Sequence, residues 1–435
     1  MKIACITAGA GRMYCGSCLR DNSLAKALMD LGHDVLLIPT YTPSRTDETN
    51  VSMHRVFLGG LNIYLQQRFP VFRKSPQFLD RLFDLRPLLK FLTRLGISVD
   101  PADLGSLTVS MLCGKDGPVR KEVMKLVRFL ADEIQPEIIS LPNSLLISLA
   151  PAIKEEMKVP VCCTLQGEDL FLGMLREPYR TQSIQIIREH AASIDAFIAV
   201  SQFGADSMAG YLGIDRGRIR VVPMGINFDG FSPRNDGGPE TFTVGYLARL
   251  TPEKGLHFLC QAYRALRARI PAGRLHAAGY LAPEYKPFLA GIRRDLETWG
   301  LSDEFHYHGE LDRQQKLSFL HGLSVLSVPE YYEDPKGLFL LEAMAGGIPV
   351  VQPRRGAFAE IIGTTGGGIL AEPDQPESLA EALFELWKDP AKRIELGRRG
   401  YEGVRAHYSA RRMAENTAAV FQSLLRPEAP ERSRA

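Results

Sequence analysis

The sequence predicts an α/β protein of two doubly wound domains. Three observations point there. The 435-residue chain is longer than one hydrophobic core usually supports. Short, wholly apolar runs alternate with segments of helical periodicity, the signature of parallel βαβ units. That alternation stops at a polar Gly/Pro-rich stretch, Ser232 to Pro239, and then begins again.

The elements follow in order. Ile3 to Thr7 is a short apolar run, read as a first buried strand. Leu24, Ala25, Leu28 and Leu31 recur at helical spacing, and Gly32-His33-Asp34 stops that helix. Val35 to Ile38 is a second buried strand. Glu137 to Leu141, Val159 to Leu165 and Phe197 to Ser201 continue the series, and Val221-Val222-Pro223 closes the first half. In the second half Phe242 to Leu247 reads as a strand and Gly255 to Arg269 as a helix. Arg274 to Ala278, Phe305 to His308, Val325 to Val328 and Pro349 to Gln352 read as strands, with a helix starting over Leu338 to Ala345. The expected division is an N-terminal domain over 1–232, with a helical insertion at about 60–130, and a C-terminal domain over 240–408. A C-terminal helix over 409–426 is expected to pack back toward the N-terminal domain, and a polar tail over 427–435 to be disordered. Ligands of such sheets bind beyond the carboxyl ends of the strands, here the cleft between two facing domains.

Composition excludes several classes. The chain is 45% hydrophobic and 23% charged, with net charge +2, so it is neither disordered nor a coating protein for nucleic acid. The longest uncharged run, Ile138 to Ile153, is too short to span a bilayer and contains Pro142 and Pro151. The first residues lack the long apolar region of a signal peptide, which predicts a cytoplasmic protein. From Arg68 to Arg94 there are seven basic and two acidic residues among many Phe and Leu. Such a segment suits peripheral contact with the inner face of an anionic membrane. The alternative, a helical insertion packed on the first domain, agrees better with the breaks at Pro76 and Pro87.

Two constellations carry chemistry. In the first, Gly245 to Gly255, Arg249 and Lys254 follow the second domain's first strand. Two cations there suit the charge that develops on a diphosphate leaving group. In the second, Pro329 to Pro353, Asp334 and Glu342 stand eight apart around Gly337-Leu338-Phe339. Gly337 opens a helix whose unbonded N–H groups suit an anion. Glu342 is placed to accept hydrogen bonds from a diol such as ribose.

Arg249 to Gly255 (RLTPEKG) together with Asp334 to Val351 resembles the retaining glycosyltransferases of family 4, which have the GT-B fold. Leu24 to Leu28 with Gly32 to Val35, Val222 to Pro233, and Thr364 to Asp374 with Leu379 to Leu383 match the same pattern. The resemblance implies transfer of a sugar from a nucleoside-diphosphate sugar, most often a UDP-sugar, to a hydroxyl acceptor with retained configuration. The acceptor class, whether glycan, lipid or small molecule, stays open. By position, Arg249 and Lys254 hold the diphosphate, Glu342 contacts ribose and Asp334 the sugar. Gly16, Gly337, Leu338, Phe339 and Glu333 line the donor. Arg12, Arg20, Gln166 and Asp169 stand on the acceptor or sugar side.

The sequence departs from the family at three places. The first acid is Asp334 rather than Glu, with Glu333 beside it. The glycine pair after the first strand is Cys15-Gly16. The usual T-x-H-G-x-D reads Thr164 to Asp169 with Gln166 at the His position. No D-x-D occurs, so the cations and the helix N-terminus are expected to replace a metal ion, and no cofactor is expected. Alternatives of the same fold are a nucleotide-sugar epimerase and a non-catalytic nucleotide-sugar-binding module.

Cys15 and Cys18 form a lone C-x-x-C with no second pair at zinc spacing. A redox role is the less favoured reading of that pair. His306 and His308 share one face of a strand, but two ligands do not make a zinc site.

Overall fold

The structure is a computed structural model, and it describes residues 1–9, 15–58, 101–233 and 239–426. Arg12, the 68–94 segment and the 427–435 tail lie outside the described residues. By packing, the chain divides into two compact units. One holds residues 1–200, 205–222 and the chain from Met413 onward; the other holds 201–204 and 223–412.

The first unit is built on β1 (Lys2–Thr7), α1 (Gly16–Asp30), β2 (Asp34–Pro39), α2 (Pro101–Leu112), α3 (Arg120–Phe129), β3 (Ile138–Leu141), α4 (Leu149–Met157), β4 (Val161–Leu165), α5 (Asp169–Met174), α6 (Tyr179–His190), β5 (Ala196–Ala199), α7 (Gln202–Leu212) and β6 (Ile219–Val221). The strands lie in the order β2-β1-β3-β4-β5-β6, all parallel. Every residue of β3, β4 and β5 is buried, as covering both faces of a parallel sheet demands. Of the expected 60–130 insertion, the described part forms α2 and α3. Val123, Leu126, Val127 and Leu130 join the core that also holds Ile139 and Leu141 of β3.

The second unit holds β7 (Thr243–Leu247), α8 (Leu256–Arg267), β8 (Arg274–Ala278), α9 (Lys286–Thr298), β9 (Phe305–Tyr307), α10 (Arg313–His321), β10 (Val325–Leu326), α11 (Leu338–Ala345), β11 (Val350–Pro353), α12 (Phe358–Thr365), β12 (Gly368–Ala371), α13 (Pro376–Lys388) and α14 (Pro390–His407). A last helix, α15 (Ala410–Leu425), enters the first unit at Met413. The second sheet is parallel, in the order β12-β11-β10-β7-β8-β9.

Strand β10 is shorter than its apolar run predicts. After Leu326 the chain stays tied to its neighbours without a continuing ladder: the Ser327 N–H donates to the Gly245 carbonyl at 2.9 Å and the Val328 N–H to the Gln352 side chain at 3.3 Å. A side-chain acceptor there takes the place of a ladder partner. Residues after Val222 go with the second unit, because the Ile226 N–H donates to the Tyr408 carbonyl and the Ala410 N–H to the Ile226 carbonyl, both at 2.9 Å.

Candidate functional site

Strand order locates the site in the second unit. Its order reverses between β7 and β10, with β8 and β9 on one side and β11 and β12 on the other. Two adjacent parallel strands whose following loops diverge leave a crevice beyond their carboxyl ends. The loop after β7 carries Arg249 and Lys254. The loop after β10 carries Glu330, Glu333 and Asp334.

The two loops are locked together. Gly255 has φ of +75°, and a Cβ there would lie 1.9 Å from the Pro329 carbonyl oxygen. Only glycine permits both the left-handed backbone and this approach. The Tyr331 N–H donates to the Glu253 carbonyl at 2.9 Å, across the same seam. Within the first loop the Tyr246 hydroxyl donates to the Arg249 carbonyl at 2.9 Å, and Thr251 Oγ1 to Glu253 Oε1 at 2.6 Å.

Lys254 is the centre of this assembly. Its Nζ lies 2.6 Å from Glu330 Oε1 and 3.4 Å from Asp334 Oδ2. Burial disfavours its charge, but the two carboxylates outweigh that and hold its pKa above the ordinary value. Asp334 is nearly buried as well. Lys254, Lys336 and the Lys336 N–H, 2.9 Å from Oδ1, overcome its desolvation and keep it ionised below the usual range. Glu330, 1% exposed, goes the other way. Burial, then the Asp334 charge, pushes it up to about 8. Its Oε2 has no partner among the described residues. No apolar periodicity or family motif singles out Glu330. The only signal in the sequence is an acid four residues before Asp334.

Arg249 differs from Lys254. Its side chain is 43% exposed and approaches Glu253 Oε1 only at 4.0 Å. Glu333 is half-exposed; it accepts from the Gly356 N–H and lies 4.0 Å from Arg355. Gly356, at φ of +49°, leaves no room for a Cβ, which would meet the Asp334 carbonyl oxygen at 2.3 Å. Gly337 is the N-cap of α11 at φ of +60°. The Leu338 and Phe339 N–H groups that follow have no intrahelical acceptor, whereas the Leu340 N–H donates to the Gly337 carbonyl at 3.0 Å. Phe339 is buried and Leu338 half-buried.

Glu342, expected at the ribose, stands apart from the Lys254 cluster. It is 8% exposed, and its Oε1 accepts from Lys316 Nζ of α10 at 2.5 Å. Lys316 is equally buried, so between α10 and α11 each charge is compensated by the other. The structure thus joins Lys254 directly to Asp334 and gives Glu342 a separate cation.

The residues expected on the acceptor or sugar side, apart from Arg12, belong to the first unit. Its strand order reverses between β1 and β3. Gly16 is the first helical residue of α1. Arg20, 3% exposed, donates through Nη1 to Asp21 at 3.1 Å, while Nε and Nη2 have no partner among the described residues. Asp21 also accepts from Thr7 Oγ1 at 2.9 Å, and burial pushes its pKa up to about 6. Gln166 is a brace: its Nε2 donates to the Pro142 carbonyl at 2.7 Å, and its N–H to Glu168 Oε2 at 2.9 Å. Glu168 Oε1 accepts from the Ser144 N–H, tying the loops after β3 and β4 together. Asp169 is half-buried at the start of α5.

A hollow of about 950 Å³ lies elsewhere in the second unit, lined among others by Thr243, Arg274, His276, His308, Gln314 and Phe319. It includes none of Arg249, Lys254, Asp334 or Glu342, so volume and chemistry point to different places. The crevice, not the hollow, carries the buried charge. Among the described residues no group of three or more His, Cys, Asp or Glu side chains is set to hold a metal ion. No described helix is long and apolar enough to cross a membrane.

Comparison with known proteins gives this geometry a family. Residues 232–403 match the family described as "Glycosyl transferases group 1", and residues 109–229 match "Glycosyltransferase Family 4". The chain is 25% identical over 243 residues to the MMP alpha-(1->4)-mannosyltransferase of Mycolicibacterium hassiacum, covering 56% of this chain and 57% of that protein. It is 29% identical over 229 residues to the D-inositol 3-phosphate glycosyltransferase of Paenarthrobacter aurescens, covering 50% and 54%. The matched region thus spans little more than half the length of either relative. Among solved structures, Anabaena HepE in complex with UDP and glucose superposes with a TM-score of 0.72 at 16% identity, over 97% of this chain and 100% of that one. That likeness is one of fold: two Rossmann-like domains of GT-B type.

Proposed function

We propose, on the premise that this chain belongs to the family 4 glycosyltransferases, that it moves a sugar from a nucleoside-diphosphate sugar to a hydroxyl acceptor. The transfer retains the anomeric configuration and needs no metal ion. The observation that carries the reading is Lys254, held at the carboxyl end of β7 between Glu330 and Asp334, with Arg249 exposed in the same loop.

The chemistry follows from charge. Breaking the sugar–phosphate bond leaves a diphosphate whose new negative charge must be neutralised. Arg249 and Lys254 supply that neutralisation, together with the N–H groups at the start of α11. Glu330 in its protonated form leaves Lys254 with one carboxylate instead of two, so the ammonium is available to the diphosphate. Asp334 keeps Lys254 in place, and half-exposed Glu333 is the acid that reaches sugar hydroxyls. Glu342, oriented by Lys316, accepts from the ribose hydroxyls. The acceptor hydroxyl attacks on the face the diphosphate leaves, and the leaving phosphate takes its proton, so no protein nucleophile is required.

A UDP-sugar is the proposed donor, on the likeness in fold to HepE, a protein solved with UDP and glucose. The acceptor is left as a hydroxyl of a glycan, a lipid or a small molecule. The test is a thermal-shift series with UDP-, GDP- and ADP-sugars, because a ligand that binds the folded state stabilises it. A UDP-sugar is expected to raise the melting temperature by several degrees, and donor hydrolysis to persist in EDTA. Absence of a shift with all three classes, with Lys254→Ala and Glu342→Ala hydrolysing donor as well as wild type, overturns the proposal.

A further inference from the structure

The C-x-x-C of the first unit has no place in the reaction above, yet the fold gives it a defined setting. Cys15 is the N-cap of α1, in extended conformation, and Cys18 sits in the first turn. The N-cap and the third helical residue lie three apart on one face of the helix start, so the fold makes these two residues neighbours. They are in hydrogen-bonding contact, and Cys18 is also in contact with the Thr7 hydroxyl. Both cysteines are thiols. A three-residue separation across a helix start suits the roughly 4.4–6.8 Å between Cα atoms that a disulfide tolerates.

Their surroundings divide the labour. Cys15 is half-buried at the start of α1, so of the two sulfurs it is the one that solvent reaches. Cys18 is 3% exposed. The Thr7 hydroxyl that touches Cys18 donates to Asp21 Oδ2 at 2.9 Å, so a carboxylate stands one hydroxyl away from the buried thiol. Burial pushes Asp21 up to about 6, and the contact with Cys15, burial and the Asp21 charge push the Cys18 thiol up as well, so Cys18 keeps its proton until a base takes it. The other cysteines lack this arrangement. Cys5, Cys162, Cys163 and Cys260 are buried, and burial also pushes the half-buried Cys113 thiol up.

We propose that Cys15 and Cys18 form a reversible dithiol–disulfide site that reacts with small disulfides, Cys15 being the attacking thiol and Cys18 the resolving one. The Cys15 thiolate attacks one sulfur of a small disulfide RSSR, forming Cys15–S–S–R and releasing RS⁻, which takes up the proton Cys15 gave to solvent. Cys18 loses its proton toward Asp21 through Thr7 and attacks the Cys15 sulfur. The second RS⁻ departs and takes that proton. Two protein thiols become one disulfide, and one RSSR becomes two RSH, with two electrons passing from the protein to the small disulfide. The bridge would fasten the N-cap of α1 to its first turn at the carboxyl end of β1, next to the strand-order reversal of that sheet.

The experiment uses the whole folded chain and glutathione disulfide, read by peptide mass mapping after quenching with an alkylating reagent. In wild type the peptide holding Cys15 and Cys18 is expected to lose two hydrogens, carry no glutathione, and return to the dithiol with dithiothreitol. Cys18→Ser is expected to trap a glutathione adduct on Cys15. Cys15→Ser is expected to slow reaction at this peptide by at least about tenfold. A stable glutathione adduct on Cys15 in wild type, or reaction at Cys113 with both Cys15 and Cys18 unchanged, overturns the proposal. The wild-type measurement decides alone, so a variant that fails to fold does not obscure the result. Because the readout is thiol state, it stands or falls independently of the proposed transfer.

Discussion

The two sheets place reversal points at β1/β3 and at β7/β10, and the chain furnishes those places very differently. At β7/β10 one ammonium, Lys254, serves two buried acids, and one of those acids keeps an oxygen without a partner. At β1/β3 one guanidinium, Arg20, serves one buried acid and keeps two N–H groups without partners among the described residues. Similar topology thus presents a surplus of acceptors in one unit and a surplus of donors in the other. Topology fixes where a ligand end lies. The residues following each strand fix which chemistry it presents.

Lys254→Ala breaks the comparison most severely. It removes the cation proposed to neutralise a leaving diphosphate, with an expected loss of about 10²–10³ in kcat for sugar transfer. Arg249→Ala, at an exposed position, is expected to cost nearer tenfold; equal losses in the two variants would show that burial does not set their roles. Next comes Lys316→Met, which strands Glu342 as a buried unpaired charge. We expect about 3 kcal/mol of destabilisation in urea unfolding, largely recovered when Glu342→Leu is added. Gly255→Ala meets the Pro329 carbonyl oxygen and a left-handed φ, so about 1–3 kcal/mol is expected, with donor binding weakened alongside. At the other reversal point, Gln166→Ala deletes one buried hydrogen bond and is expected to cost about 1 kcal/mol.

The last effect is a slope with pH rather than a single loss. Glu330 is raised from 4.5 to about 8, so the folded chain holds a proton the unfolded chain has released. Stability from this group is full below about pH 4.5 and is lost as pH rises toward 8. Glu330→Gln keeps the buried amide neutral throughout. Its melting temperature should therefore fall less than wild type between pH 5 and 8 (a window set by that raised pKa). Parallel melting curves for the two proteins would remove Glu330 from the account.

How far the sequence reached depends on the span of each interaction. Arg274–Ala278 has the bounds that patterning predicts, and α11 begins at the predicted Leu338, because those signals lie within one segment. Asp334 and Lys254 were recognisable from motif spacing. Their meeting with Glu330 was not, since that contact joins residues 76 apart and depends on which strands become neighbours. Lys316 escaped for the same reason: it lies 26 residues from Glu342, on another helix, and reads as one more solvated cation. Gln166 was legible as a departure from a motif, whereas its bond to Pro142 requires β3 beside β4.

The seam at Gly255 sets a rule for redesign. Since the stretches following β7 and β10 fit one another without room for a single methyl group, they form one inheritable cassette. Grafting either alone from a homologous enzyme would bring a mismatched surface against the other; exchanging 248–255 and 327–337 as a pair preserves the join while changing what it recognises.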